Sequence, residues 1–211
     1  MIGEIIAIGD ELTSGRILNS NSYFAASQLF AAGHEIVSMS AIGDSSEAIG
    51  GALKKALAQA DFVVVTGGLG ATTDDKTNEA VAEALARPVT FYPEIYEKIK
   101  DTPQASDSKG LSLEKLAWLP SGAEILKPEA KMAGYLLYHE EKPVFFLPGV
   151  PYEMKELLVD CVIPHLEAMP DNHSRGVSQK VYKVFGLPET EVNSKLKDIE
   201  NKDERIRIGY Y

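Results

Sequence analysis

Four short segments carry residues able to do chemistry on a phosphate. They are Gly9-Asp10-Glu11-Leu12-Thr13-Ser14-Gly15, Gly43-Asp44, the run from Thr66-Gly67-Gly68-Leu69-Gly70 to Asp74-Asp75, and Leu147-Pro148-Gly149-Val150-Pro151-Tyr152-Glu153. Glycines at 67, 68 and 70 let the backbone turn sharply and present bare N–H groups to an anion. The same glycines suit close packing of a strand on a helix, so the loop alone leaves both readings open, and it is neither a GxGxxG nor a P-loop. Each acid alone also has a bland reading. Asp44 with Glu47 three residues on has capping-box spacing, and Asp74, Asp75 and Glu153 fall where first helical turns favour carboxylates. Together, however, Asp10, Glu11, Asp44, Asp74, Asp75 and Glu153 repel one another and any phosphate on the glycine loop. A hard divalent cation such as Mg²⁺ or Mn²⁺ resolves that conflict, because it takes carboxylate oxygens on one side and phosphate oxygens and water on the other. The pattern points to phosphoryl or nucleotidyl chemistry.

These segments meet only if the elements between them form a parallel sheet. Residues 5–8, 34–42 and 62–65 read as strands, and residues 21–32, a stripe at 49, 53, 56, 57 and 60, and residues 74–86 read as helices. Gly33 reads as the end of the first helix. This βαβαβα order implies right-handed crossovers with helices on both sheet faces, and places the four segments at the carboxyl ends of the strands, where such sheets bind ligands. Residues 91–100 read as a helix, and 102–109 as a polar loop. Strands follow at 123–126, 135–139 and 144–147, then a helix over 151–166 that takes Cys161 as a core residue. Residues 170–176 read as a turn-rich break before a small β-α-β piece: strand 177–185, helix 188–199 and strand 205–211. Asn21 is read as an ordinary residue near a helix start, and His34, His139, His165 and His173, which share no ligand spacing, as surface or satisfied core histidines.

Taken together, Gly9-Asp10-Glu11-Leu12, Asn21, Gly43-Asp44, Thr66 to Gly70, Asp74-Asp75-Lys76-Thr77 and Pro148 to Met154 closely resemble the N-terminal domain of the CinA (competence/damage-inducible) family. That domain is a branch of the molybdopterin-binding family that includes the MogA and MoaB proteins. The resemblance covers residues 1–168 as one domain and 176–211 as part of a KH-like one. It implies a three-layer α/β/α fold with a mostly parallel sheet, a homodimer, and metal-dependent hydrolysis of the pyrophosphate in ADP-ribose-like nucleotides. The MogA side implies non-catalytic binding of molybdopterin or a nucleotide instead. Carried over by position, Thr66, Gly67, Gly68, Leu69 and Gly70 hold phosphate, with Asn21, Gly149 and Lys131 as further ligand contacts. Asp44 and Asp75 support the metal (Mg, Mn or Co, with K a further candidate), and Asp10, Asp75 and Glu153 are the catalytic candidates. The sequence departs from the family at Ala71, where proline is usual, and at Ala130-Lys131-Met132-Ala133-Gly134, where Gly-Thr-Ala-Pro-Gly is usual. A usual polar and basic stretch upstream is replaced by residues 107–118. Lys131 either points into solvent or faces the pocket; if it faces the pocket its positive charge alters recognition, making ADP-ribose a poor substrate and a more heavily phosphorylated ligand a better one.

The 211 residues carry 31 acidic against 21 basic side chains, a net charge of −10. That sign opposes the counterion-release term behind nucleic-acid binding and gives no attraction to anionic membrane, so neither is an expected partner. Cys161 is the single cysteine, which excludes an intrachain disulfide. No signal-peptide pattern or bilayer-length apolar run is present, and a cytoplasmic location is expected.

Overall fold

The computed structural model describes residues 1–100, 113–129, 134–170, 178–203 and 206–210. Two compact units divide the chain, Met1–Val177 and Ser178–Tyr211. In the first, a six-stranded sheet is built from β1 (Ile2–Ile8), β2 (Glu35–Ile42), β3 (Phe62–Thr66), β6 (Glu124–Ile125), β7 (Tyr135–His139) and β8 (Lys142–Leu147). Its order is β2-β1-β3-β8-β7-β6. The first four are parallel, with Ile5 opposite Val64 and Val64 opposite Phe145, while β7 runs antiparallel to β8 and β6 antiparallel to β7. The sheet is therefore mostly parallel, as the alternation of elements predicts. A separate antiparallel pair joins β4 (Val89–Phe91) to β5 (Trp118–Pro120).

Strand alternation sends side chains into two cores, one on each face. Ile6, Ile8, Val63, Val65, Val144 and Phe146 face α3 (Ser46–Gln59) and α4 (Thr77–Ala84). Ile5, Phe62, Val64, Phe145 and Leu147 face α2 (Ser20–Ala31) and the helices after β8. Because β1, β3 and β8 are covered on both faces, their central stretches, residues 5–8, 62–65 and 144–147, read in the sequence as unbroken apolar runs. Helix α2 is started by the Asn19 side chain, which accepts from Ser22 N–H at 3.0 Å, and is followed by Gly33 at φ 87°. The expected helix over 151–166 is one continuous rod in three parts, α6 (Pro151–Leu157), a π turn (Leu158–Val162) and α7 (Ile163–Ala168). Pro164 accounts for the wide turn, since it has no N–H to donate to the preceding turn and its ring crowds the carbonyl four residues back. Cys161 packs partly buried on the second core, with its thiol toward the Leu126 carbonyl at 3.4 Å.

Four expectations need correction. Residues 89–91 pair with β5, so the helix there is only α5 (Pro93–Ile99), and a 3₁₀ turn (Leu113–Ala117) precedes β5. In the second unit α8 (Glu189–Lys202) forms, but the described parts of both expected flanking strands, 178–185 and 206–210, do not form strands. Val181, Tyr182, Val184 and Phe185 are exposed there, so the apolar and aromatic residues that suggest a strand are not buried against a core. The third concerns His34, which is not a satisfied core histidine: it is 2% exposed, set edge-on to Phe62, with neither ring nitrogen partnered among the described residues. The fourth is the start of α4, treated with the site below. The loop expected at 102–109 and the break at 171–176 lie outside the described residues. Among the described residues no helix is long and apolar enough to cross a membrane.

Candidate functional site

The carboxyl ends of β1, β2, β3 and β8 open into one cleft of about 730 Å³. Its wall includes Asp44, Asp75, Gly67, Gly68, Leu69, Gly70, Gly149 and Glu153, so the structure brings together most of the residues that the sequence singled out. Asp10, Thr66 and Asn21 stand behind that wall and hold it in place.

Gly67 sits at φ 106° and Gly68 at φ 68°, conformations that an L side chain adopts only under strain. Space forbids a side chain as well: a Cβ on Gly67 would lie 2.3 Å from the Ile8 carbonyl oxygen, and one on Gly68 2.1 Å from Thr77 Oγ1. The loop is anchored at both ends. Gly67 N–H donates to the Leu147 carbonyl at 3.1 Å, and the buried Thr77 hydroxyl donates to the Gly67 carbonyl at 3.0 Å. Behind it, Asn21 Nδ2 donates to Gly149 O at 2.9 Å and to Thr66 Oγ1 at 3.2 Å, while the Thr66 hydroxyl donates to the Pro148 carbonyl at 2.8 Å. Asn21 is thus a brace that ties the β3 loop to the β8 loop, and the helix cap is its neighbour Asn19.

The acids are not the caps that their spacing suggests. Ser45 caps α3 by accepting from Ala48 N–H at 3.1 Å, which frees Asp44 from the capping-box role. Asp44 Oδ2 instead accepts from Asp10 N–H at 2.9 Å, and Asp10 Oδ1 accepts from Asp44 N–H at 3.2 Å. This reciprocal pair fixes the loops after β1 and β2 against each other, and Gly43 makes room for it, since a Cβ there would lie 2.5 Å from Asp10 Oδ1. Desolvation, followed by the charges of Asp10, Glu11 and Asp74, raises the Asp44 carboxyl above its ordinary range against the lowering effect of the Asp10 N–H. Helix α4 begins at Thr77, so Asp74 and Asp75 precede it rather than occupy its first turn. Asp75 captures the Thr72 N–H at 2.9 Å and the Thr72 hydroxyl, a local side-chain turn that competes with helix. Lys115 reaches over from the 3₁₀ turn to the Thr72 carbonyl at 2.7 Å. Glu153 does sit in the first turn of α6, and accepts from the Tyr152 hydroxyl at 2.9 Å. Lys131, with Ala130 and Ala133, lies outside the described residues.

Among the described residues no three His, Cys, Asp or Glu side chains cluster to cage a metal. The donors suit an ion of the Mg²⁺ type, which takes one or two carboxylates and completes its shell with water and phosphate. In the bonds above, Asp44, Asp10 and Asp75 each commit one oxygen and keep the other. Sequence reasoning missed Asn78, Tyr135, Ile95, Ile99 and Leu116, which line the far half of the cleft. Ile95, Ile99 and Leu116 depend on α5 packing on the 3₁₀ turn, and Asn78 and Tyr135 on α4 meeting β5 and β7, tertiary facts without a local pattern.

Fold and site together define an α/β/α domain with a cleft lined by a glycine loop and carboxylates at the strand ends. The chain belongs to the probable molybdopterin binding domain family, whose model matches residues 4–168. A CinA-like protein of Desulfotalea psychrophila is 51% identical over 209 residues, covering 99% of this chain and 50% of that protein. A putative competence-damage inducible protein of Acetivibrio thermocellus is 34% identical over 213 residues, covering 100% and 51%. The chain spans about half the length of the curated relatives it matches. Among solved structures, the CinA protein of Thermoplasma acidophilum superposes with TM-score 0.67 at 30% identity, over 75% of this chain and 94% of that one. The MoaB protein of Thermus thermophilus, at 19% identity and TM-score 0.51 over 78% and 92%, shares the fold.

Proposed function

We propose that this domain hydrolyses the diphosphate of a nucleoside-diphosphate-linked substrate with the aid of a divalent cation. One observation carries the reading. The Asp10–Asp44 pair sits beside the Gly67–Gly70 loop, and burial, followed by the charges of Asp10, Glu11 and Asp74, raises the Asp44 carboxyl. Such crowding next to an anion site is unfavourable unless a cation joins the two.

In this reading the loop N–H groups hold one phosphate, and Asp44 and Asp75 hold the cation with their uncommitted oxygens. When bound, Mg²⁺, Mn²⁺ or Co²⁺ polarises phosphorus and acidifies water. Asp10 orients Asp44 through their paired backbone contacts. Glu153, held on one oxygen by Tyr152, accepts the proton of the attacking water on the other. Asn21 and Thr66 keep the two phosphate-facing loops in register, so that nucleophile and leaving group stay in line.

The test is release of AMP from ADP-ribose with and without Mn²⁺, Mg²⁺ or Co²⁺. The proposal requires metal-dependent AMP and ribose 5-phosphate in equal amounts. Tight binding without product in any of the three metals would replace it with a binding role.

A further inference from the structure

Beyond the glycine loop the cleft has a largely apolar part, walled by Ile95, Ile99, Leu116, Leu119 and Ile125, with the exposed Glu94 and Lys98 of α5 also lining the cleft. A diphosphate and a metal have no use for that surface. Asn78, in the first turn of α4, stands in the wall between this cleft and a second cavity of about 390 Å³ beside Trp118.

The Asn78 amide is locked in one orientation. Tyr135 OH donates to Asn78 Oδ1 at 3.0 Å, and Asn78 Nδ2 donates to the Trp118 carbonyl at 3.3 Å. A backbone carbonyl only accepts, so the reversed amide would set two oxygens against each other. Tyr135 is buried and stacked on Phe146, and burial keeps its phenol protonated far above neutral pH, so it remains a donor. One Nδ2 hydrogen serves Trp118. The other has no acceptor among the described residues. A donor fixed from behind in an apolar wall discriminates sharply, because a ligand edge without an acceptor leaves it unpaired.

We infer that the largely apolar part takes the heterocyclic end of a phosphate-bearing ligand and that Asn78 reads a hydrogen-bond acceptor on its edge. A heterocyclic base matches this wall because its faces are apolar and its polar atoms lie at the rim. The inference rests on the nucleotide reading above and names the part of the ligand that the site selects. Tyr135 is a positioning residue for Asn78.

Isothermal titration of AMP and of ribose 5-phosphate, which lacks only the base, tests this in the presence of Mn²⁺. The wild-type chain is expected to bind AMP at least about tenfold tighter. Asn78→Leu and Asn78→Asp should remove most of that preference while leaving ribose 5-phosphate within about twofold, and Tyr135→Phe should weaken AMP about threefold by freeing the amide. Equal affinity of the wild type for both compounds would overturn the heterocycle site. A preference that survives both Asn78 variants would overturn the role of Asn78. Binding of neither compound would overturn the nucleotide reading beneath both.

Discussion

Gly67→Ala probes the loop on which the site depends. Its φ of 106° is a conformation that costs an L-residue about 1–2 kcal/mol. The added methyl would also lie 2.3 Å from the carbonyl oxygen of Ile8 and 3.2 Å from its carbon, both backbone atoms of a central strand. Rotamer changes cannot relieve that clash, and overpacking of this kind costs roughly 1–3 kcal/mol. The sum is about 2–5 kcal/mol, which at roughly 2–4 °C per kcal/mol lowers Tm by about 4–20 °C. Gly51→Ala is the control: it lies exposed in α3 with nothing within 4 Å of the new methyl, and should stabilise by about 0.5–1 kcal/mol. Thermal unfolding followed by circular dichroism reads both. A Gly67→Ala protein that melts within about 2 °C of wild type would refute the anchored loop.

Three further outcomes follow from burial and charge. Asp44 has a raised native pKa, so the native state holds more protons than the unfolded chain between 3.8 and that value, and stability falls as pH rises through the window. Asp44→Asn should abolish that fall and melt at or above wild type at pH 7, and a lower Tm there would contradict the carboxylate crowding. His34 is buried without hydrogen-bond partners among the described residues and its pKa is lowered, chiefly by desolvation, so its contribution is fully present above 6.5 and is lost as pH drops below 6.5 toward the native pKa. In His34→Leu, denaturant midpoints between pH 7 and 5 should decline less than in wild type, and parallel curves would show that His34 is solvated. Residues 1–177 should melt within about 2 °C of the full chain, because both cores lie inside that unit, and a larger loss would make the tail integral.

Much of the architecture was legible in local pattern. Apolar runs at β1 and β3, the stripe on α3 and the glycine at 33 each report a strand, a covered face or a helix end, and strand order then collects the four motifs at one edge. Capping was harder to read. Asp44 and Ser45 both have capping side chains, and only the Asp10 backbone across the loop decides that Ser45 takes the cap. Asp75 looks helical for the same reason, until Thr72 claims it. Asn21 shows the converse: its type and position are ordinary for a helix start, and its bracing role appears only when β3 and β8 lie side by side. His34 looked unremarkable because nothing in its neighbourhood in sequence reveals that it lacks hydrogen-bond partners among the described residues. The two segments around α8 read as strands by propensity, yet whether a segment becomes a strand is decided by its surroundings and not by the segment.

The most direct test of the central claim is the rate of AMP release from ADP-ribose across a Mn²⁺ titration, for wild type and Asp44→Asn side by side. A saturable rise with Mn²⁺ is expected in the wild type, and in the variant a curve shifted to at least about tenfold higher Mn²⁺ with the fold intact, since asparagine keeps the acceptor for Asp10 N–H but loses the charge. Identical Mn²⁺ dependence in the two proteins, or hydrolysis that needs no metal, would contradict that claim.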